Sequence, residues 1–161
     1  MQLARHRYDR QLLLQNEVTL ETFPRPERSA VRVAAGSPSP YHAAMSNLGF
    51  HFLYASLRRS VRLRVERFFA DTSPVTLESG ARLSSHEALL CSISYEEDYI
   101  NLVRILHESG LPPLREDRRG APLVIVGGPA VSANPFPLAD IVDAAALGEG
   151  EGTCEAIAKL L

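Results

Sequence analysis

The run Leu123-Val124-Ile125-Val126-Gly127-Gly128-Pro129 divides into four apolar residues and a bare turn. The apolar part is too short for a helix and β-branched enough for a buried strand. Two glycines then leave the backbone uncovered, so another backbone or a flat ligand can approach closely, and Pro129 fixes the direction of exit. A second apolar segment, Ile141 to Leu147, ends in Gly148-Glu149-Gly150-Glu151-Gly152. Two strands that finish in glycine loops at one edge predict an open parallel sheet with a ligand crevice. The plainer alternative is that the glycines only make tight turns, because short glycine motifs recur by chance.

Working outward, residues 30–35 read as a first strand, followed by Gly36-Ser37-Pro38-Ser39-Pro40. One helix is expected from His42 to Arg58, with Ala44, Met45, Leu48, Phe52 and Leu53 on its apolar face. Gly49 inside it costs about 1 kcal/mol against alanine and implies close packing there. Val61 to Phe69 alternates, with Arg62 and Arg64 on one side, and reads as an edge strand guarded by charge. A basic patch for RNA, built from these residues with Arg58, Arg59 and Arg67, lacks an aromatic stacking platform.

Ala70 to His86 carries turn signals and predicts a small ribbon or loop with one helical turn. Ala88 to Ser94 has almost no alternation, as a strand buried on both faces requires. A helix follows from Glu97 to Glu108, where Glu96, Glu97 and Asp98 suit the positive end of the macrodipole. Arg115 to Gly120 reads as a charged surface loop. Thr153 is placed to cap a last helix that runs to Leu161. That helix ends on two leucines, as an excised piece of a longer chain would. Residues 1–28 form an arm with a short helix around Leu12, Leu13 and Leu14, and residues 29–161 form one domain. The fold class is α/β: a three-layer, doubly wound, mainly parallel sheet of five strands in the order 2-1-3-4-5, flavodoxin-like.

The 161 residues suffice for one domain with a proper core. A net charge of −2 argues against a dedicated nucleic-acid binder. No apolar run reaches the length of a membrane span, and the first residues lack the core of a secretory signal, so a cytoplasmic protein is expected. Cys91 and Cys154 read as reduced thiols, and no spacing suits a self-contained zinc or iron–sulfur site.

In the 2-1-3-4-5 order the crevice lies at the carboxyl ends of the first, third and fourth strands. The residues predicted there are Ser37, Pro38, Ser39 and His42 after strand one, Ser94 and Tyr95 after strand three, and Gly127, Gly128 and Pro129. Gly148 and Glu149 sit beside them. This set holds no nucleophile–base pair, no facing carboxylates and no metal ligands, so no catalysis is expected of it. Glu149 and Glu151 also oppose a phosphate site.

Several segments carry a resemblance in order. They are Tyr41-His-Ala-Ala-Met-Ser-Asn-Leu-Gly-Phe50, Leu77-Glu-Ser-Gly80, Ser92-Ile-Ser-Tyr-Glu96, Val126-Gly-Gly-Pro129, Asn134-Pro-Phe-Pro-Leu138 and Gly148-Glu-Gly-Glu151. Together they resemble the N-terminal cobalamin-binding-like domain of radical S-adenosylmethionine (radical SAM) proteins over residues 29–161. The resemblance implies a downstream radical SAM domain of the same chain, which would hold the 4Fe-4S cluster and S-adenosylmethionine. It implies cobalamin as the guest of this domain. Cobalamin domains of the mutase kind use DxHxxG after strand one, and here His42 has Pro40 two residues before it and Met45 three after. Gly127-Gly128 match the last element of that pattern, and Ser92-Ile93-Ser94 the second only loosely. Two functions stay open: an accessory cobalamin domain, or a packing domain that shapes substrate access after losing the cofactor. A free flavin carrier fits less well, since the first loop lacks a Ser/Thr-rich phosphate cradle and the chain has no tryptophan.

Overall fold

The computed structural model describes residues 9–120 and 122–161, apart from the side chain of Glu151. Five strands, β1 (Val31–Ser37), β2 (Leu63–Phe69), β3 (Ala88–Ser92), β4 (Leu123–Gly127) and β5 (Ala144–Ala146), form one sheet. Their order is β2-β1-β3-β4-β5 and every pairing is parallel, a flavodoxin-like α/β fold. The register aligns Gly36 with Cys91, Cys91 with Val126, and Val126 with Ala145, so the strand ends share one rim.

Each face of the sheet buries its own cluster, which explains the near-continuous apolar strands. On one face Val33, Ala35, Leu63 and Leu90 pack beneath α3 (Leu48–Arg58) and α6 (Gly150–Leu160), joined by Leu57 and Ile157. On the other, Leu89, Cys91, Val124 and Val126 meet Leu102, Ile105 and Leu106 of α4 (Glu97–Glu108), and Val131 of α5 (Pro129–Ala133). Full burial of one such side chain stabilises by roughly 1.5–3 kcal/mol. A third cluster, Leu13, Tyr41, Phe50, Phe69 and Leu77, seats the arm helix α1 (Arg10–Gln15). Phe69 meets Tyr41 and Phe50 edge-on, with centroids 5.2 and 5.4 Å away.

Several expectations are corrected. The helix predicted from His42 to Arg58 is two, α2 (Tyr41–Met45) and α3, because the Asn47 carboxamide accepts the Phe50 N–H and restarts the helix. Gly49 answers to the same group: a Cβ there would lie 3.1 Å from Asn47 Oδ1. Thr153 does not cap α6; the N-cap is Glu149, and the Thr153 hydroxyl donates back to the Glu149 carbonyl. The loop 115–120 is not wholly surface. Arg118 is buried, donating to the carbonyls of Pro112, Pro113 and Ile141 and to Asp143 at 2.9 Å.

Arg67 leaves the basic group for the interior, with a bidentate pair to Glu17 of the arm (2.8 and 2.7 Å) and a contact to Glu78 at 2.6 Å. Residues 70–87 form the expected ribbon, with a bridge between Val75 and Arg82 and a turn of 3-10 helix at Leu83–Ser85. The last strand is shorter than the apolar run 141–147, since Asp143 is spent on Arg118 and on the Val124 N–H. The beginning of the arm, residues 1–8, lies outside the described residues.

Candidate functional site

A cavity of about 940 Å³ opens beside the carboxyl ends of β3, β4 and β5, between α3 and α6. This volume is at the upper end of the range for small-molecule and cofactor pockets. Leu90, Ile125 and Ala146 form its floor, Phe52 and Leu53 one wall, and Cys154 and Ile157 the other. Polar groups are few: Asn47, His51, Ser92, Ser132, Thr153 and the carboxylate of Glu149. Local sequence creates the space. Gly148, Gly150 and the short side chain of Ala146 stand where larger residues would close the mouth, and a Cβ on Gly150 would meet Phe52 at 3.8 Å.

Of the residues predicted for the crevice, Gly127, Gly128, Pro129, Gly148 and Glu149 line this cavity. The two glycines of the central turn serve different ends. Gly128 has φ +110°, and a Cβ there would lie 2.5 Å from the Ile93 carbonyl oxygen. Its bareness is therefore used by the backbone after β3, where Ile93 N–H donates to Gly127 O at 2.8 Å. Gly148, at φ +88°, has nothing within 4 Å of the same position and faces open space.

The remaining predicted residues lie on the same rim but outside the lining. Ser37, Pro38 and Ser39 are buried. The Ser39 hydroxyl donates to Asp98 at 2.5 Å, and Asp98 also accepts from Asn101. The chain's own groups thus fill the switch point between β1 and β3. Asp98, read from sequence as a helix-start charge, is a buried strut between the first loop and α4. His42 is exposed at the start of α2, with its ring 5.2 Å from that of Tyr41. Tyr95 is 62% exposed on the rim. Ser94 accepts from the Asn47 side chain at 2.9 Å, so Asn47 ties the loop after β3 to the start of α3 at the cavity's edge.

Sequence reasoning missed Asn47, Phe52, Ser132, Cys154 and Ile157. Asn47 carried a readable signal, a capping residue just before an apolar helix. Phe52, Cys154 and Ile157 are ordinary helix residues that become lining only through the packing of α3 beside α6, and Ser132 enters from α5.

Burial pushes the Cys91 thiol up to about 12, which keeps it neutral. Among the described residues no group of His, Cys, Asp and Glu is arranged to hold a metal ion. No helix among them is long and apolar enough to cross a membrane.

A family model described as "Radical SAM proteins, N-terminal" matches residues 49–161. An uncharacterized protein of Methanocaldococcus jannaschii is 31% identical over 121 residues, covering 75% of this chain and 24% of that relative. The chain thus spans about a quarter of the length of the curated relative it matches. No solved structure matches. The family match takes in all of α3 but its first residue, strands β2 to β5 and α6, which supply most of the cavity lining. The chain belongs to the family of N-terminal domains of radical SAM proteins.

Proposed function

We propose that this chain is the accessory, non-catalytic domain of a radical SAM iron–sulfur enzyme, and that it holds cobalamin at the rim of its sheet. The observation that carries the reading is the cavity of about 940 Å³ between α3 and α6, apolar in its floor and walls and glycine-lined at its mouth. Such a shape suits an uncharged, flat or ring-bearing group inserted edge-first. The open rim beside it, at Gly148 and Glu149, leaves room for the larger part of the guest to lie outside. His51 is the imidazole of the lining, and its Nε2 lies 2.7 Å from the Met45 carbonyl, the geometry of an N–H donor. His42 is outside the lining. The residues therefore fit a corrinoid gripped by its edge and tail, without a prepared protein ligand to cobalt. When bound, the cofactor would supply cobalt-centred alkyl and redox chemistry to the parent enzyme. The chain's own part is to orient the guest and keep water from its inserted end. The 4Fe-4S cluster and S-adenosylmethionine would belong to the further domain, since these 161 residues contain no cysteine triplet.

A second reading has its own observation. Leu48 (83% exposed), Tyr95 and Leu147 stand at or near the cavity mouth, where a neighbouring domain would cover them. On that reading the domain packs over the radical enzyme and shapes access without a cofactor.

Gel filtration of the chain after mixing with hydroxocobalamin separates the two. Co-elution of a visible absorption band, lost in an Ala146→Phe variant that fills the floor, is the expected result. A colourless peak at high cobalamin would leave the packing reading standing.

A further inference from the structure

Six arginines, Arg25, Arg28, Arg58, Arg59, Arg62 and Arg64, converge on the amino-terminal corner of β2. The backbone brings them together: Glu27 N–H donates to Val61 O at 2.8 Å and Val31 N–H to Arg62 O at 2.9 Å. Residues 25–28 of the arm therefore run beside the start of the edge strand. Arg58 and Arg59 end the helix just before it, with Arg58 4.4 Å over the Phe23 ring and Arg59 3.1 Å from Glu21. Arg58 is half-buried and the other five are exposed.

The neighbouring carboxylates do not balance this charge. Glu17 is turned onto Arg67, and Glu66 accepts from Thr76 and Ser79. Bonds from neutral hydroxyls leave Glu66 charged, so the six cations face Glu21, Glu27 and Glu66, a surplus of three positive charges in a chain of net charge −2.

Edge protection does not require so much charge here. The arm lies along the start of β2, and further on Leu77 N–H donates to Arg67 O at 2.6 Å while Glu78 accepts the Arg67 N–H. Like charges gathered on one corner oppose folding, and they favour a partner that is itself strongly anionic.

We propose that this corner binds the phosphate backbone of double-helical nucleic acid without reading its sequence. Guanidinium groups match phosphate oxygens two at a time. A helix rather than a single strand fits, because the Phe23 ring is already engaged by Arg58 on one of its faces, where a base would otherwise stack. An acidic protein surface is the competing partner. It fits less well, since protein interfaces deplete charge at their centres, whereas the exposed apolar side chain here, Val61, sits among arginines.

The test is fluorescence anisotropy of labelled 20-bp RNA and DNA duplexes with the chain in about 50 and 200 mM salt. Binding of either duplex is expected, weakening with a log–log salt slope of about −3 to −5, near 0.9 per neutralised phosphate. The two arms show which duplex is the source of the phosphates. Arg62→Gln with Arg64→Gln should reduce affinity about tenfold or more and the slope by about two. Arg25→Gln with Arg28→Gln, on the arm, gives an independent variant should the first fail to fold. No anisotropy change at 50 mM salt, indifference to both variants, or tighter capture by poly-glutamate of matched charge would overturn the proposal. Cobalamin uptake is read separately by absorbance, so either idea fails without the other.

Discussion

Gly128 shows what a single residue decides here. Its φ of +110° and the Ile93 carbonyl 2.5 Å from any added Cβ set two penalties at once, strain and collision. Gly128→Ala should lose about 2–4 kcal/mol in chemical denaturation. Gly148→Ala, strained but unobstructed, should lose only about 1 kcal/mol. Equal losses would mean that the β3 backbone yields easily. From sequence the glycine pair was legible as a close approach, but whether the visitor was ligand or backbone was not. That answer depends on Ile93, 35 positions earlier in the chain. Asn47 is the reverse case, since one carboxamide both caps α3 and holds Ser94. Asn47→Ala should cost about 1 kcal/mol in stability and loosen the cavity edge. Cys91, with its thiol pushed up to about 12 by burial, should stay unmodified by iodoacetamide at pH 8 in the folded chain and react once denatured.

Among the elements, the arm departs most from its sequence reading. Its residues look chemically silent in order, yet Glu17 reaches Arg67, Arg10 donates to the Leu77 carbonyl, and Leu13 enters the third cluster. Deleting residues 1–28 should therefore uncover buried Arg67 and the aromatic cluster, and shift the protein from the soluble to the aggregated fraction on expression. A soluble, cooperatively melting 29–161 chain would show that the arm is dispensable. The Glu17–Arg67 contact also sets an acid limb. Burial alone would raise the Glu17 carboxyl, but hydrogen bonds from Arg67 and Tyr41, with the Arg67 charge, hold it below 4.5. A depressed carboxylate contributes stability that is complete above its unfolded value and lost as pH falls through the folded one. Stability should thus drop below about pH 4.5, and the drop should be shallower in Glu17→Gln. The split of α2 from α3 and the burial of Arg118 were unreadable for one reason. Each depends on a side chain meeting backbone atoms, which residue periodicity does not encode.

At the scale of the whole molecule the topology was legible because it follows from strand composition and connection length alone. Uniformly apolar β3 and the alternating, arginine-bearing β2 announce a central and an edge position, and the connections are long enough for the crossovers that parallel pairing requires. The cavity was half legible: its glycine mouth belongs to one stretch of sequence, whereas its walls come from two helices nearly a hundred residues apart. That separation bears on when the pocket comes into being during synthesis. The wall from α3 emerges early and the wall from α6 last, so a nascent chain halted just before residue 148 would own all five strands and no pocket. Guest capture would then report completion of the domain, and a bound guest would lock the final helix down by mass action.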